Sequence, residues 1–155
     1  MINTYRMNKQ DKAILTKAYS AVLKNLRLTD WFDVDVSIVG RDTIRALNLE
    51  HRGVDKVTDV LSFPSVEITW PICPCSYEND VDPETGKLFL GDIIICKSKI
   101  REQGKEFGHG ELRELVYLFV HGMLHLFGFD HIEKEDEEEM LLHQNQIMED
   151  LGISR

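Results

Sequence analysis

From Glu111 to Phe127 the chain is apolar on almost every side of a helix, with Leu115, Val116, Leu118, Phe119, Val120, Met123 and Leu124 leaving no face for water. Such a helix belongs at the centre of a fold, covered by other elements. It also carries His121 and His125, four residues apart and so one turn above the other on one face. Gly128 follows, a residue type that takes up a left-handed conformation and turns a chain back after a helix. His131 then approaches the same point from a loop. Three neutral imidazoles around one point, with a fourth position open, is the arrangement of a catalytic zinc site.

The spacing from His121 to His131 is the skeleton of the zinc-protease motif H-E-x-x-H-x-x-G-x-x-H, with Gly122 where those proteases carry their glutamate base. A protease without its base is a poor protease, so the site is expected to bind metal and do something other than ordinary peptide hydrolysis. Asp130 has two readings, a partner for a ligand histidine or a cap for the next helix. His51, His109 and His143 stand outside the spacing and read as ordinary core or surface residues.

The remaining pattern predicts an α+β domain, a small mixed β-sheet covered by helices, with the histidine-bearing helix central and buried. Residues 9–27 have helical periodicity, and residues 33–39 alternate polar and apolar as a half-buried strand does. A short helix runs from Gly40 to about Gly53, and a strand over 59–63 is ended by Pro64. Residues 65–87 read as a loop or a long irregular hairpin, and 87–96 as a strand whose central Gly91 marks a bulge or a close backbone approach. Helices are expected over 97–107, 111–127 and about 133–151. In the last, Met140, Leu141, Gln144, Ile147, Met148 and Leu151 share a face. No repeat or linker divides residues 1–155, which read as a single metallohydrolase domain.

Charge and cysteine usage narrow the partners. The net charge of −9 disfavours a polyanion, but residues 132–150 hold −7 of it, so a basic groove elsewhere remains open. That acidic run reads as the solvated first turns of a helix, where negative charge suits the dipole. Cys73, Cys75 and Cys96 are an odd set with loose spacing, which fits a reducing compartment rather than a disulfide framework. Cys96 reads as a small core residue, Cys73 and Cys75 as loop residues without a role. No run has signal-peptide character or membrane-spanning length, so the expected setting is soluble and cytoplasmic, with no membrane partner.

The segment His121–His131 is very similar to the signature of the YbeY family of bacterial rRNA maturation factors, which are metal-dependent endoribonucleases. Two further segments agree with it, Arg52-Gly-Val-Asp-Lys56-Val-Thr-Asp-Val-Leu-Ser-Phe-Pro64 and Leu90-Gly-Asp-Ile-Ile-Ile95. Phe129 departs from that family's usual tyrosine, and residues 65–86 are longer and carry Cys-Pro-Cys. The resemblance implies one divalent ion, zinc in type, on His121, His125 and His131, and an important arginine at Arg52. It also implies single-strand cleavage in small-subunit rRNA 3′-end maturation and ribosome quality control. The partner is then rRNA or a ribosomal particle; a ribosomal protein or GTPase that delivers the substrate would ease the conflict with the acidic net charge.

By itself Arg52 reads as one half of an ion pair at a helix end, with Glu50 or Asp55; the resemblance makes it a planar fork for the scissile phosphate. Lys56 adds a point charge on the same segment as a tentative RNA contact, against a plain surface reading. The attacking group, water or the RNA's own 2′-OH, is not decided by the sequence. Two other readings stand beside the nuclease. One is a metallopeptidase-like hydrolase, which Gly122 opposes. The other is a non-catalytic ribosome-assembly factor with a structural metal, which needs a fourth ligand from His109, Cys73 or Cys75.

Overall fold

A computed structural model describes residues 1–153 of the chain. Its elements run β1 (Ile2–Tyr5), α1 (Lys9–Asn25), β2 (Phe32–Val39), α2 (Arg41–Arg52), β3 (Val60–Pro64), a 3₁₀ turn (Pro74–Asp80), β4 (Leu88–Cys96), α3 (Lys97–Glu106), α4 (Glu111–Leu126) and α5 (Lys134–Asp150). The sheet order is β1-β2-β4-β3. The β1–β2 and β2–β4 pairs are parallel and β3 is antiparallel to β4, so the sheet is mixed, as the α+β reading requires.

The alternation in β2 works as its spelling implies. Phe32, Val34 and Val36 are buried, while Asp33, Asp35 and Ser37 point to the other, partly open face. On the buried face the sheet meets α1, α4 and α5 in the main core, which includes Val34, Val36, Leu90, Ile93 and Ile95. The opposite face keeps a small cluster of Ile44, Leu61 and Cys96 under α2. Cys96 is therefore a core residue, as expected.

α4 lies across this sheet with Leu115, Val116, Leu118, Phe119, Val120, Met123, Leu124 and Leu126 all buried. Each such side chain contributes about 1.5–3 kcal/mol on leaving water. Gly122 is the point of nearest approach. A Cβ there would lie 3.0 Å from Ile93 Cγ2 and 3.1 Å from Ser62 Oγ. The residue that removes the protease base is thus also the one that lets α4 sit down on β3 and β4.

The sequence readings need four amendments. β1 had no signal of its own, because Ile2–Tyr5 is a short edge strand ordered by pairing with β2. Pro64 closes β3 from inside it rather than ending it beforehand, and it faces Gly91 on an edge strand that needs no further donor. The long loop contains the 3₁₀ turn at Pro74–Asp80, whose Tyr77 is buried. On α5, Met140, Gln144, Ile147 and Met148 are buried, but Leu141 is 47% exposed and turns away from the core. The acidic run does form the solvated first turn of α5, with Glu135, Asp136 and Glu137. Among the described residues no helix is long and apolar enough to cross a membrane.

Both readings of Gly91 hold. The β2–β4 register shifts between Asp33 and Val34, which face Phe89 and Gly91, so β4 carries one extra residue there. Gly91 has φ +137°, and a Cβ would lie 2.0 Å from the Phe63 carbonyl oxygen. Any side chain must push β3 off the sheet. Gly91→Ala is expected to destabilise the protein by about 3 kcal/mol or more, read as a lower urea midpoint at unchanged slope.

Candidate metal centre

The end of α4 is closed by a glycine turn. Gly128 has φ +92°, its N–H donates to the His125 carbonyl (3.0 Å), and the Phe129 N–H donates to the Leu124 carbonyl (3.0 Å). This pair of bonds caps the helix while reversing the chain. Gly128 is also fixed from outside, since a Cβ would lie 2.3 Å from the Ile68 carbonyl oxygen. The reversal brings His131 back to the two helical histidines. The ring centroids lie 4.6 Å (His121–His125), 4.9 Å (His125–His131) and 5.8 Å (His121–His131) apart. One ligand atom from each residue lies within 4.8 Å of the others, and no other group among the described residues meets that condition.

The ring hydrogen bonds set which nitrogens are available. His125 Nδ1 lies 2.9 Å from the Phe129 carbonyl, an obligate acceptor, so Nδ1 carries the hydrogen and Nε2 keeps its lone pair. His121 Nδ1 lies 3.3 Å from Gln144 Oε1, and the Gln144 amide nitrogen donates to the Tyr117 carbonyl (3.3 Å), which fixes the amide's orientation. His121 therefore also presents Nε2. The two Nε2 atoms face each other at 3.1 Å. Two lone pairs at that distance repel unless a cation lies between them, and ligands about 2.0–2.1 Å from a tetrahedral zinc stand about 3.3 Å apart. The donor set fits a divalent ion.

Burial, and then the neighbouring His121, push the His125 pKa down from 6.5 to about 4, so this ligand is neutral near pH 7. Gln144 is 2% exposed and reaches His121 across 23 residues of sequence. The sequence reading placed it on the apolar face of α5 without a role. Its one local signal is an uncharged amide inside an apolar stripe.

Arg52, the last residue of α2, lines a cleft of about 520 Å³ with Ser62, Glu67, Ile68, His125, Asp130 and His131. Its position comes from the end of α2, where Gly53 is left-handed and Asn48 donates to the Lys56 carbonyl (2.9 Å). The ion pair expected for Arg52 is not formed. Asp55 is held by Arg45 through two bonds of 2.7 and 3.0 Å, and Glu50 lies 3.9 Å from His51. Lys56 is exposed on the following loop and is not among the residues lining the cleft. Asp130 Oδ1 accepts the His131 N–H (2.7 Å), a local bond that shapes the loop carrying the third histidine, while α5 is capped at Glu133. Glu67 was missed as a cleft residue. It comes from the long loop, where nothing local marks it.

None of the proposed fourth ligands reaches the centre. His109 stacks on Phe107 with centroids 6.1 Å apart, and Cys73 and Cys75 are exposed on the 3₁₀ turn. His143 bonds Asn25 (2.7 Å), and His51 packs on Phe63 (4.9 Å).

The lowered His125 pKa has a consequence for stability. Between its ordinary pKa of 6.5 and about 4 the folded protein binds fewer protons than the unfolded chain. The resulting stabilisation is complete above about pH 6.5 and is lost as the pH falls toward 4. Chelator-treated protein followed by thermal melts across this range is expected to show a falling Tm, and a His125→Asn variant a shallower fall.

Comparison with known proteins places these features. The family described as endoribonuclease YbeY matches residues 2–152. The chain is 43% identical over 131 residues to the endoribonuclease YbeY of Lachnospira eligens, covering 79% of this chain and 78% of that one. With that of Bacillus pumilus it shares 38% identity over 152 residues, 98% and 92% of the two chains. The solution structure of a Thermotoga maritima protein matches with a TM-score of 0.58 and 28% identity, covering 97% of this chain and 91% of that one.

Proposed function

The chain belongs to the endoribonuclease YbeY family and is an RNA-cleaving hydrolase of rRNA processing; on that premise we propose that it works through one zinc ion on His121, His125 and His131, with Arg52 as the phosphate-binding cation. The observation that carries this reading is the shared cleft. It is lined by His125 and His131 of the histidine triad together with an arginine whose expected partner, Asp55, is already taken by Arg45.

When bound, a divalent ion supplies Lewis-acid chemistry, drawing charge from a phosphoryl oxygen and lowering the pKa of water toward about 7. The protein's own groups do the rest. Gln144 and the Phe129 carbonyl hold the imidazoles in the tautomer that offers Nε2. Arg52 presents a planar, permanently charged fork that matches two phosphate oxygens and orients the scissile group. Lys56, outside the cleft, suits a contact with a neighbouring phosphate of a single strand. The substrate is single-stranded rRNA within a ribosomal particle, the 3′ end of the small-subunit RNA in particular. A ribosomal protein or GTPase that delivers it offsets the acidic surface, and the setting is cytoplasmic. Residues 1–155 act as one catalytic domain.

The alternatives find less support. A peptidase needs a base at position 122, where even a Cβ would meet Ile93 at 3.0 Å. A structural metal needs a fourth protein ligand, and the cluster among the described residues has three.

His121→Ala is expected to lose bound zinc by elemental analysis and to lose cleavage of a single-stranded rRNA fragment. Arg52→Ala is expected to keep its zinc while cleavage falls about 10²–10³-fold. Full cleavage by metal-free His121→Ala would overturn the assignment. Gln144→Leu keeps the side-chain volume but removes the acceptor at His121, and is expected to weaken zinc binding about 10–100-fold in a competition titration.

A further inference from the structure

Cys73 and Cys75 take no part in the metal centre, yet they are placed for chemistry of their own. Their sulfurs lie 2.6 Å apart, not far beyond the about 2.05 Å of a covalent disulfide. Both side chains are exposed at the start of the 3₁₀ turn. Pro74 between them fixes one backbone torsion, so little chain freedom is lost in bringing them together. The Ser76 N–H donates to the Cys73 carbonyl (3.0 Å) and holds the turn.

We propose that Cys73 and Cys75 are a redox-active dithiol that closes reversibly to a disulfide by exchange with a low-molecular-weight disulfide. Hydrogen bonds from Cys75 and Ser76 pull the Cys73 thiol below its ordinary pKa, while the adjacent Cys73 raises that of Cys75. Either sulfur can attack first, and the other then resolves the mixed disulfide. With Cys73 first, its thiolate attacks one sulfur of the small disulfide. That S–S bond breaks, and the departing thiolate takes the electron pair and a proton from water. Cys75 then gives its proton to solvent and attacks the sulfur of Cys73, releasing the second small thiol. Two protein thiols are oxidised and one small disulfide is reduced to two thiols.

The position gives this chemistry a reach. Two residues beyond Cys75, the buried Tyr77 accepts the Thr69 N–H at its hydroxyl (3.2 Å). Thr69 follows Ile68, which lines the cleft and whose carbonyl lies against Gly128. The dithiol therefore sits on the segment that walls the metal centre. Cys96, fully buried, is a built-in bystander.

The test is incubation of the reduced, full-length protein with oxidised glutathione, followed by alkylation and intact mass. The expected product is lighter than the reduced protein by about 2 Da before alkylation, as two thiol hydrogens are lost. Of the three thiols in the sequence, one remains for alkylation after denaturation, and peptide mapping places it at Cys96. Cys75→Ser should accumulate a glutathione adduct on Cys73, and Cys73→Ser one on Cys75, since neither variant keeps the second thiol that releases it. Glutathione on both Cys73 and Cys75 of the unsubstituted protein, or three alkylatable thiols after treatment, would each overturn the proposal.

Discussion

The seating of α4 on the sheet is the contact on which the other features depend. The helix is buried along nearly its whole length, and at Gly122 its backbone comes as near to β3 and β4 as a side chain would allow. That depth fixes where the last two turns of the helix emerge, and they carry His121 and His125. The same glycine denies the helix a carboxylate facing the metal. Packing and chemistry are therefore one constraint here. Even a Cβ at this position would press on the side chains of Ile93 and Ser62, so any larger residue requires them to give way.

The turn after α4 shows a similar economy of parts. Gly128 ends the helix, leaves room for the Ile68 carbonyl and directs the chain toward His131. It also delivers the Phe129 carbonyl to His125 Nδ1. The side chain of Phe129 is buried between Trp70 and His143, so what matters for the ligand is the backbone carbonyl. This explains how a phenylalanine serves where the family commonly has tyrosine.

Much of the site could be read from spacing, because its ligands lie within eleven residues joined by a helix and a turn. Helical period and a glycine are local rules, and they sufficed for His121, His125 and His131. The alternation of β2, the bulge at Gly91 and the buried character of α4 were legible for the same reason. What escaped was set by topology. Gln144 meets His121 only because α5 folds back across α4, and Glu67 reaches the cleft only because the loop after β3 crosses Gly128. β1 is a strand because β2 is beside it. Arg52 was misread on its own terms for a subtler reason: Asp55 was the right partner for a nearby arginine, but it pairs with Arg45, two turns back on the same side of α2.

The acidic start of α5 bears on how a long substrate can lie. Asp136 and Glu139 border a recess shared with Gly128, Phe129 and Asp130, just past the metal-facing turn. Arg52 stands on the cleft itself, at the end of α2. A polyanion crossing the site meets the carboxylates of Asp136 and Glu139 on the α5 side and the Arg52 guanidinium on the α2 side. Arg52 is the one permanent cation among the residues that line this cleft, which Glu67 and Asp130 also border. The permanent positive side-chain charge that a phosphate would meet here is thus confined to the end of α2, while Asp136 and Glu139 near the start of α5 add negative charge.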